Sequence, residues 1–102
     1  MESNYIYHIT TKLEWELAQK QGFYLPKAFD QDGFMHCSVE RQIPGVLDRF
    51  YKGVSGLVKL KIEKQKVDKP LLFELAHDIN ELFPHIYGPL NIDAVVEVVE
   101  IS

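Results

Sequence analysis

Hydrophobic and polar positions along this chain repeat with two periods, one strand-like and one helical, and the switches between them outline its elements. Tyr5-Ile6-Tyr7-His8-Ile9 is dense in aromatic and β-branched residues, which predicts a strand. Thr11-Lys12-Leu13-Glu14 follows as a capping box, which opens a helix. Leu13, Leu17 and Ala18 recur at turn spacing with Trp15 at their border, predicting the buried stripe of that helix, and Gly22 supplies the left-handed residue that ends it. Phe23-Tyr24-Leu25-Pro26 continues extended, because Pro26 forces its predecessor out of helical geometry, and Asp30-Gln31-Asp32-Gly33 predicts a turn. A second strand is expected over Phe34 to Cys37. Ser38 can cap a helix running to about Tyr51, with Ile43, Val46, Leu47 and Phe50 buried and Gly53 as the stop. Pro44 inside that span costs roughly 3 kcal/mol, so a kink or a start nearer Gln42 is expected.

The second half of the chain reads mainly as strand. Leu57-Val58-Lys59-Leu60-Lys61-Ile62 alternates, with Val58, Leu60 and Ile62 inward and both lysines outward, as in a half-exposed strand. Leu71-Leu72-Phe73-Glu74 is a short strand introduced by Pro70. Ala94 to Ile101 is apolar on both faces over much of its length, which predicts a central strand. Phe83 to Leu90, with two prolines, a glycine and two aromatics, reads as a stiff loop. The fold class is α+β, one domain over residues 1–102 with a mainly antiparallel sheet and two helices.

Composition narrows the function classes. The 102 residues carry a net charge of −4, and the lysines between Lys52 and Lys69 alternate with apolar or acidic residues, which argues against a duplex nucleic-acid partner. A single cysteine, Cys37, cannot form an internal disulfide. With a polar N-terminus and no membrane-length apolar run, this points to a cytoplasmic protein with no membrane partner.

The chemistry concentrates in three histidine-bearing segments: Tyr7-His8-Ile9-Thr10, Gly33-Phe34-Met35-His36-Cys37-Ser38, and Phe83-Pro84-His85-Ile86-Tyr87-Gly88-Pro89-Leu90. Each lies where a strand meets a turn or cap, the usual place for ligand-binding groups. Strand alternation puts Phe34 with His36 on one face and Met35 with Cys37 on the other. Cys37 is therefore read as core rather than as a nucleophile partnered with His36. His8 and His85 are each read either as hydrogen-bonded structural groups or as site groups, and His77 as solvated. The spacing of the histidines does not fit a metal centre, and no metal ligands are assigned. Tyr87 and His85 sit in the stiff segment, where Gly88 allows a ligand close to the backbone. The carboxylate of Glu74, ending an apolar strand, needs a partner such as Arg49 or a ligand hydroxyl. Arg41 and Gln42, near a helix start, can meet an anion or serve as ordinary surface groups.

The order Tyr-His-Ile-Thr, Trp15, Gly22, Gly-Phe-Met-His-Cys-Ser, Gln42, Arg49-Phe50-Tyr51-Lys52-Gly53 and Phe-Pro-His-Ile-Tyr-Gly-Pro-Leu resembles the small bacterial domain-of-unknown-function 952 family over about residues 4 to 101. That family looks like a minimal relative of the ADP-ribosyltransferase-like fold, which implies a split sheet with flanking helices and a cleft for NAD or an ADP-ribose-containing nucleotide. No cofactor beyond NAD, as substrate or ligand, is implied. By the resemblance His8 would hold a ribose hydroxyl, Tyr87 would stack on nicotinamide, and Glu74 would face the cationic sugar. The RNA 2′-phosphotransferase group within the same fold suggests a further role for His36, Arg41 and Arg49. The expected catalytic groups are His36, His85 and Glu74, and the expected ligand-binding groups are His8, Thr10, Ser38, Gln42, Arg49, Tyr87 and Gly88. The competing expectation is a non-catalytic small-molecule or protein-binding module whose histidines are structural.

Overall fold

β1 (Tyr5–Thr11) is the strand around which the rest is assembled, because both of its faces are covered. The computed structural model describes residues 3–101. Alternation sends Ile6, His8 and Thr10 toward the main core, where Ile6 packs with Trp15, Met35, Leu60 and Ile86. It sends Tyr7 and Ile9 toward a second cluster with Ile43 and Leu57.

Thr11 caps α1 (Lys12–Gln21) as its sequence predicts: its hydroxyl accepts the Glu14 N–H at 3.1 Å, and Gly22 ends the helix at φ 92°. The reciprocal half of the capping box is replaced, since the Glu14 carboxylate instead takes the Thr10 hydroxyl at 3.1 Å. The buried stripe also differs from expectation. Trp15 and Ala18 pack into the core, whereas Leu13 and Leu17 are 68% and 54% exposed. Turn spacing identifies a helix, but the direction in which β1 delivers the chain into α1 decides which face meets the sheet.

After β2 (Phe23–Tyr24), the expected turn at Asp30–Gly33 is a single helical turn, α2 (Phe29–Asp32), closed by Gly33 at φ 78°. β3 (Met35–His36) is shorter than its expected span. Ser38 does not cap a helix. Its backbone exchanges two hydrogen bonds with Tyr7, at 2.7 and 2.8 Å, and so joins β3 to β1. A 3₁₀ turn over Glu40–Gln42 follows, and α3 (Ile43–Phe50) starts with Pro44 in its first turn, where a missing N–H breaks no intrahelical bond. The start nearer Gln42 is therefore the one realised. Ile43 is buried, but Phe50 is 69% exposed, contrary to expectation.

β4 (Leu57–Glu63), β5 (Leu71–Ala76), β6 (Glu81–Ile86), β7 (Leu90–Asn91) and β8 (Val95–Glu100) complete the fold. Two three-stranded sheets, ordered β1-β4-β8 and β3-β6-β5, meet at the Tyr7–Ser38 bridge, and β2 pairs with β7. Every strand pair is antiparallel, and the class is α+β with few helices. The alternating strand β4 lies at the centre of its sheet, its outward Lys59 and Lys61 ammonium groups over the Tyr7 and Tyr5 rings at 5.4 and 4.3 Å. β8, expected to be central, is the edge strand, with Val96 and Val98 partly exposed. Its valines reflect β propensity rather than two covered faces.

β6 corrects the reading of Phe83 to Leu90 as a loop, since Phe83 to Ile86 lie in the middle strand of their sheet. In a strand, a residue's N–H and C=O point to the same side. The Pro84 carbonyl accepts from the Cys37 N–H at 2.9 Å, so its missing donor faces the end of short β3, where the ladder is already closing. No helix among the described residues is long and apolar enough to cross a membrane.

Candidate functional site

The register of β3 against β6 places His36 directly opposite His85, with their rings 5.3 Å apart. Alternation adds Phe34 on one side, and Tyr87 and the β5 residue Glu74 on the other, so these five side chains share one face of the sheet. Phe34 stacks on the His85 ring at 3.9 Å and 20°, and its centroid lies 4.7 Å from His36 and 5.6 Å from Tyr87.

Each histidine is held by a carboxylate. His85 Nδ1 lies 2.7 Å from Glu74 Oε1, and the same oxygen accepts a short hydrogen bond from the Tyr87 hydroxyl. These two donors, Tyr87 first, hold the Glu74 carboxyl below the usual carboxylate range, and the bond to ionised Glu74 in turn raises the Tyr87 phenol. Glu74 thus stays ionised, His85 donates through Nδ1, and Nε2 is left as its second ring nitrogen. His36 Nε2 lies 3.0 Å from the Oδ2 of Asp32, the last residue of α2, which leaves Nδ1 for a ligand. The two dyads present opposite ring nitrogens, the arrangement needed by a base and a hydrogen-bonding or acidic partner.

The remaining expected site residues do not join this face. His8 is buried, its Nδ1 2.5 Å from the His36 carbonyl and its Nε2 2.8 Å from the Tyr24 hydroxyl. Loss of hydration pushes its imidazole down to about 4, so it is neutral at pH 7. Thr10 is buried against Tyr24 and Glu14. Ser38 is buried in the bridge to Tyr7. Gln42 is also buried, accepting from the Val39 N–H and donating to the Leu82 carbonyl and Glu81. Arg41 donates to Glu81 at 2.9 Å. Arg49 lies over the Phe50 ring on α3, so the partners of Glu74 are His85 and Tyr87 rather than Arg49. Cys37 is buried, and burial pushes its thiol far above the ordinary range, as befits a core group.

The space beside Gly88 is occupied rather than open to a ligand. A methyl group there would stand 2.8 Å from the Lys69 Cγ and Cδ, at a backbone φ of 151°. Gly88→Ala is expected to cost about 1–3 kcal/mol, read as a lowered urea midpoint with unchanged slope. Asp32 and Phe34 complete the site and lie outside the set of residues the sequence marks for it. Their signals were Asp32 four residues before His36, and Phe34 two residues before it on the same strand face. A pocket of about 180 Å³ lies elsewhere, between α1 and the chain after β2, lined by Glu14, Leu17, Gln21, Tyr24, Leu25 and Lys27. Among the described residues, no three His, Cys, Asp or Glu side chains are grouped to hold a metal ion.

The fold is shared with a protein of known structure. Protein CC0527 from Caulobacter crescentus, in its crystal structure, is 28% identical and superposes with a TM-score of 0.88 over 96% of this chain and 86% of its own. Its solution NMR structure superposes at 0.84 over 98% and 86%, also at 28% identity. No curated protein matches the chain. The family described as a protein of unknown function, DUF952, matches residues 9–98, and the chain belongs to that family.

Proposed function

We propose that the outer face of the β3-β6-β5 sheet binds a nucleotide bearing a planar ring, NAD or an ADP-ribose-containing molecule, and supplies groups for transfer at the ribose anomeric carbon. The observation that carries this reading is the His36–His85 register pair, each imidazole backed by its own carboxylate beside the Phe34 and Tyr87 rings. The aromatic rings offer a stacking surface for the nicotinamide or adenine. Two antiparallel sheets joined at a bridge are the architecture this reading takes as a reduced ADP-ribosyltransferase-like fold.

In the proposed reaction the bond between the ribose C1′ and the nicotinamide nitrogen breaks, and its electron pair leaves with nicotinamide. Ionised Glu74 faces the positive charge that develops on the sugar, where a fixed anion contributes most. An acceptor hydroxyl or water forms the new bond to C1′, and its proton passes to Nδ1 of His36, whose Nε2–H is directed by Asp32. His85 Nε2 accepts a ribose hydroxyl and orients the sugar.

Calorimetric titration with NAD and with ADP-ribose tests the reading. Phe34→Ala and His85→Ala are each expected to weaken binding by about tenfold or more, a loss of about 1.4 kcal/mol, in variants whose circular dichroism is unchanged. Absence of binding to wild-type protein at millimolar ligand would overturn it. A second reading, a non-catalytic module, draws on His8, whose two ring nitrogens are both engaged within the protein. Binding of NAD without nicotinamide release would favour that module.

A further inference from the structure

A continuous line of polar atoms crosses the interior behind β3. Glu14 Oε2 lies 3.1 Å from Thr10 Oγ1, which lies 3.0 Å from the Tyr24 hydroxyl; this lies 2.8 Å from His8 Nε2, and His8 Nδ1 lies 2.5 Å from the His36 carbonyl. Thr10, Tyr24 and His8 are buried, and Glu14 and Tyr24 both line the pocket beside α1.

A carbonyl only accepts, so His8 Nδ1 must carry a proton. Three contacts remain, and the hydroxyls of Thr10 and Tyr24 supply two protons for them. With His8 neutral and Glu14 ionised, one contact therefore sets lone pair against lone pair. A single added proton fills every contact, and it has two placements. On His8 Nε2, it makes Tyr24 donate to Thr10 and Thr10 to Glu14. On the Glu14 carboxyl, it makes both hydroxyls donate the other way. The placements interconvert by shifting protons along the line, without moving a heavy atom.

We propose that Glu14, Thr10, Tyr24 and His8 form a one-proton relay between the α1 pocket and the strand that carries His36. The proposal is independent of the nucleotide reading, since it concerns only where a proton resides. The groups facing the relay are Lys27, whose ammonium lies 4.0 Å from the Glu14 carboxylate, Tyr51 at the end of α3, and Cys37 and His36 on the β3 side. Of these, His36 disfavours a cation at His8.

Nuclear magnetic resonance titration of the intact protein, following the ring nitrogens of His8 and the carboxyl carbon of Glu14 together, reads the relay directly. A shared proton moves both signals with one common midpoint, because the titration belongs to the line rather than to either residue. Two separate midpoints in the wild-type protein would overturn the proposal. Thr10→Val keeps the size and both end charges but cuts the line, and is expected to split the common midpoint in two. Glu14→Gln brings an amide whose NH2 can turn to Thr10 and fill every contact while His8 stays neutral, and it is expected to lower the proton affinity of His8 by about tenfold, one pH unit. An unchanged His8 midpoint in Glu14→Gln would also overturn it. A drop in Glu14→Gln with no effect of Thr10→Val would reduce the contact to simple charge attraction and overturn the relay.

Discussion

Lowering the pH from 7 to 4 is expected to remove about 3 kcal/mol of folding stability through the proton taken up at buried His8 and its line, since each unit of pKa difference is about 1.4 kcal/mol. The buried ring titrates at about 4 in the fold, against 6.5 for an ordinary histidine. Between those values the unfolded chain binds the extra proton and the native protein does not. The contribution is thus fully present above about pH 6.5 and is lost as pH falls toward 4. Glu74 and Glu81 act in a lower window, because their depressed carboxyls contribute stability above the ordinary carboxylate value and lose it only as pH falls further. Urea melts at half-unit steps from pH 7 to 4.5 separate the two. The midpoint of wild-type protein should decline through this range, whereas His8→Asn, whose amide nitrogen stands where Nδ1 does and keeps a donor for the His36 carbonyl without titrating, should be nearly flat. An equal decline in both proteins would show that His8 is not the group responsible.

Trp15→Ala is expected to cost about 3–5 kcal/mol, the range for emptying a large aromatic from a packed core. Trp15 is only 6% exposed and shares its cluster with Ile6, Ala18, Met35 and Leu60. Leu13→Ala and Leu17→Ala, on the outer side of the same helix, should each change stability by less than about 0.5 kcal/mol. Equilibrium unfolding of the three variants checks this contrast. A large loss in Leu17→Ala with a small one in Trp15→Ala would mean that α1 is rotated about its axis from the arrangement described. For a domain of 102 residues the tryptophan loss is a large part of the total, so its variant is best studied at low temperature or with a milder Trp15→Phe replacement.

These two positions also show where reading the chain succeeds and where it stops. Thr11 and Gly22 bracket α1 as local chemistry demands, and the alternation over Leu57 to Ile62 marks β4, since caps and side-chain period act within a few residues. The rotation of α1 depends on what lies beneath it, and turn spacing carries no record of that. Pro84 argued for a loop because proline cannot serve both sides of a ladder, yet β3 is so short that one side needs little. β8 lies at an edge and not at the centre for a similar reason, as a valine run states preference for extended chain and not the number of neighbours. At the site, the common face of Phe34 and His36 followed from alternation alone. Their meeting with His85, Glu74 and Tyr87 is a product of strand pairing between distant segments, as is the withdrawal of His8 into the interior.

A strand covered on both sides gives β1 a second kind of importance. Its odd and even residues serve different neighbours, so shifting the strand by a single position against β4 would exchange the two sets. Tyr7 or Ile9 would then occupy the slot that receives the His36 carbonyl and the Tyr24 hydroxyl, and His8 would be driven among the side chains beneath α3. Point substitutions in β1 should therefore be better tolerated than a one-residue deletion or insertion between Tyr5 and Thr11, even of an inconspicuous residue. In this protein the spacing of that segment is itself a structural requirement: the partners of both clusters are counted from it.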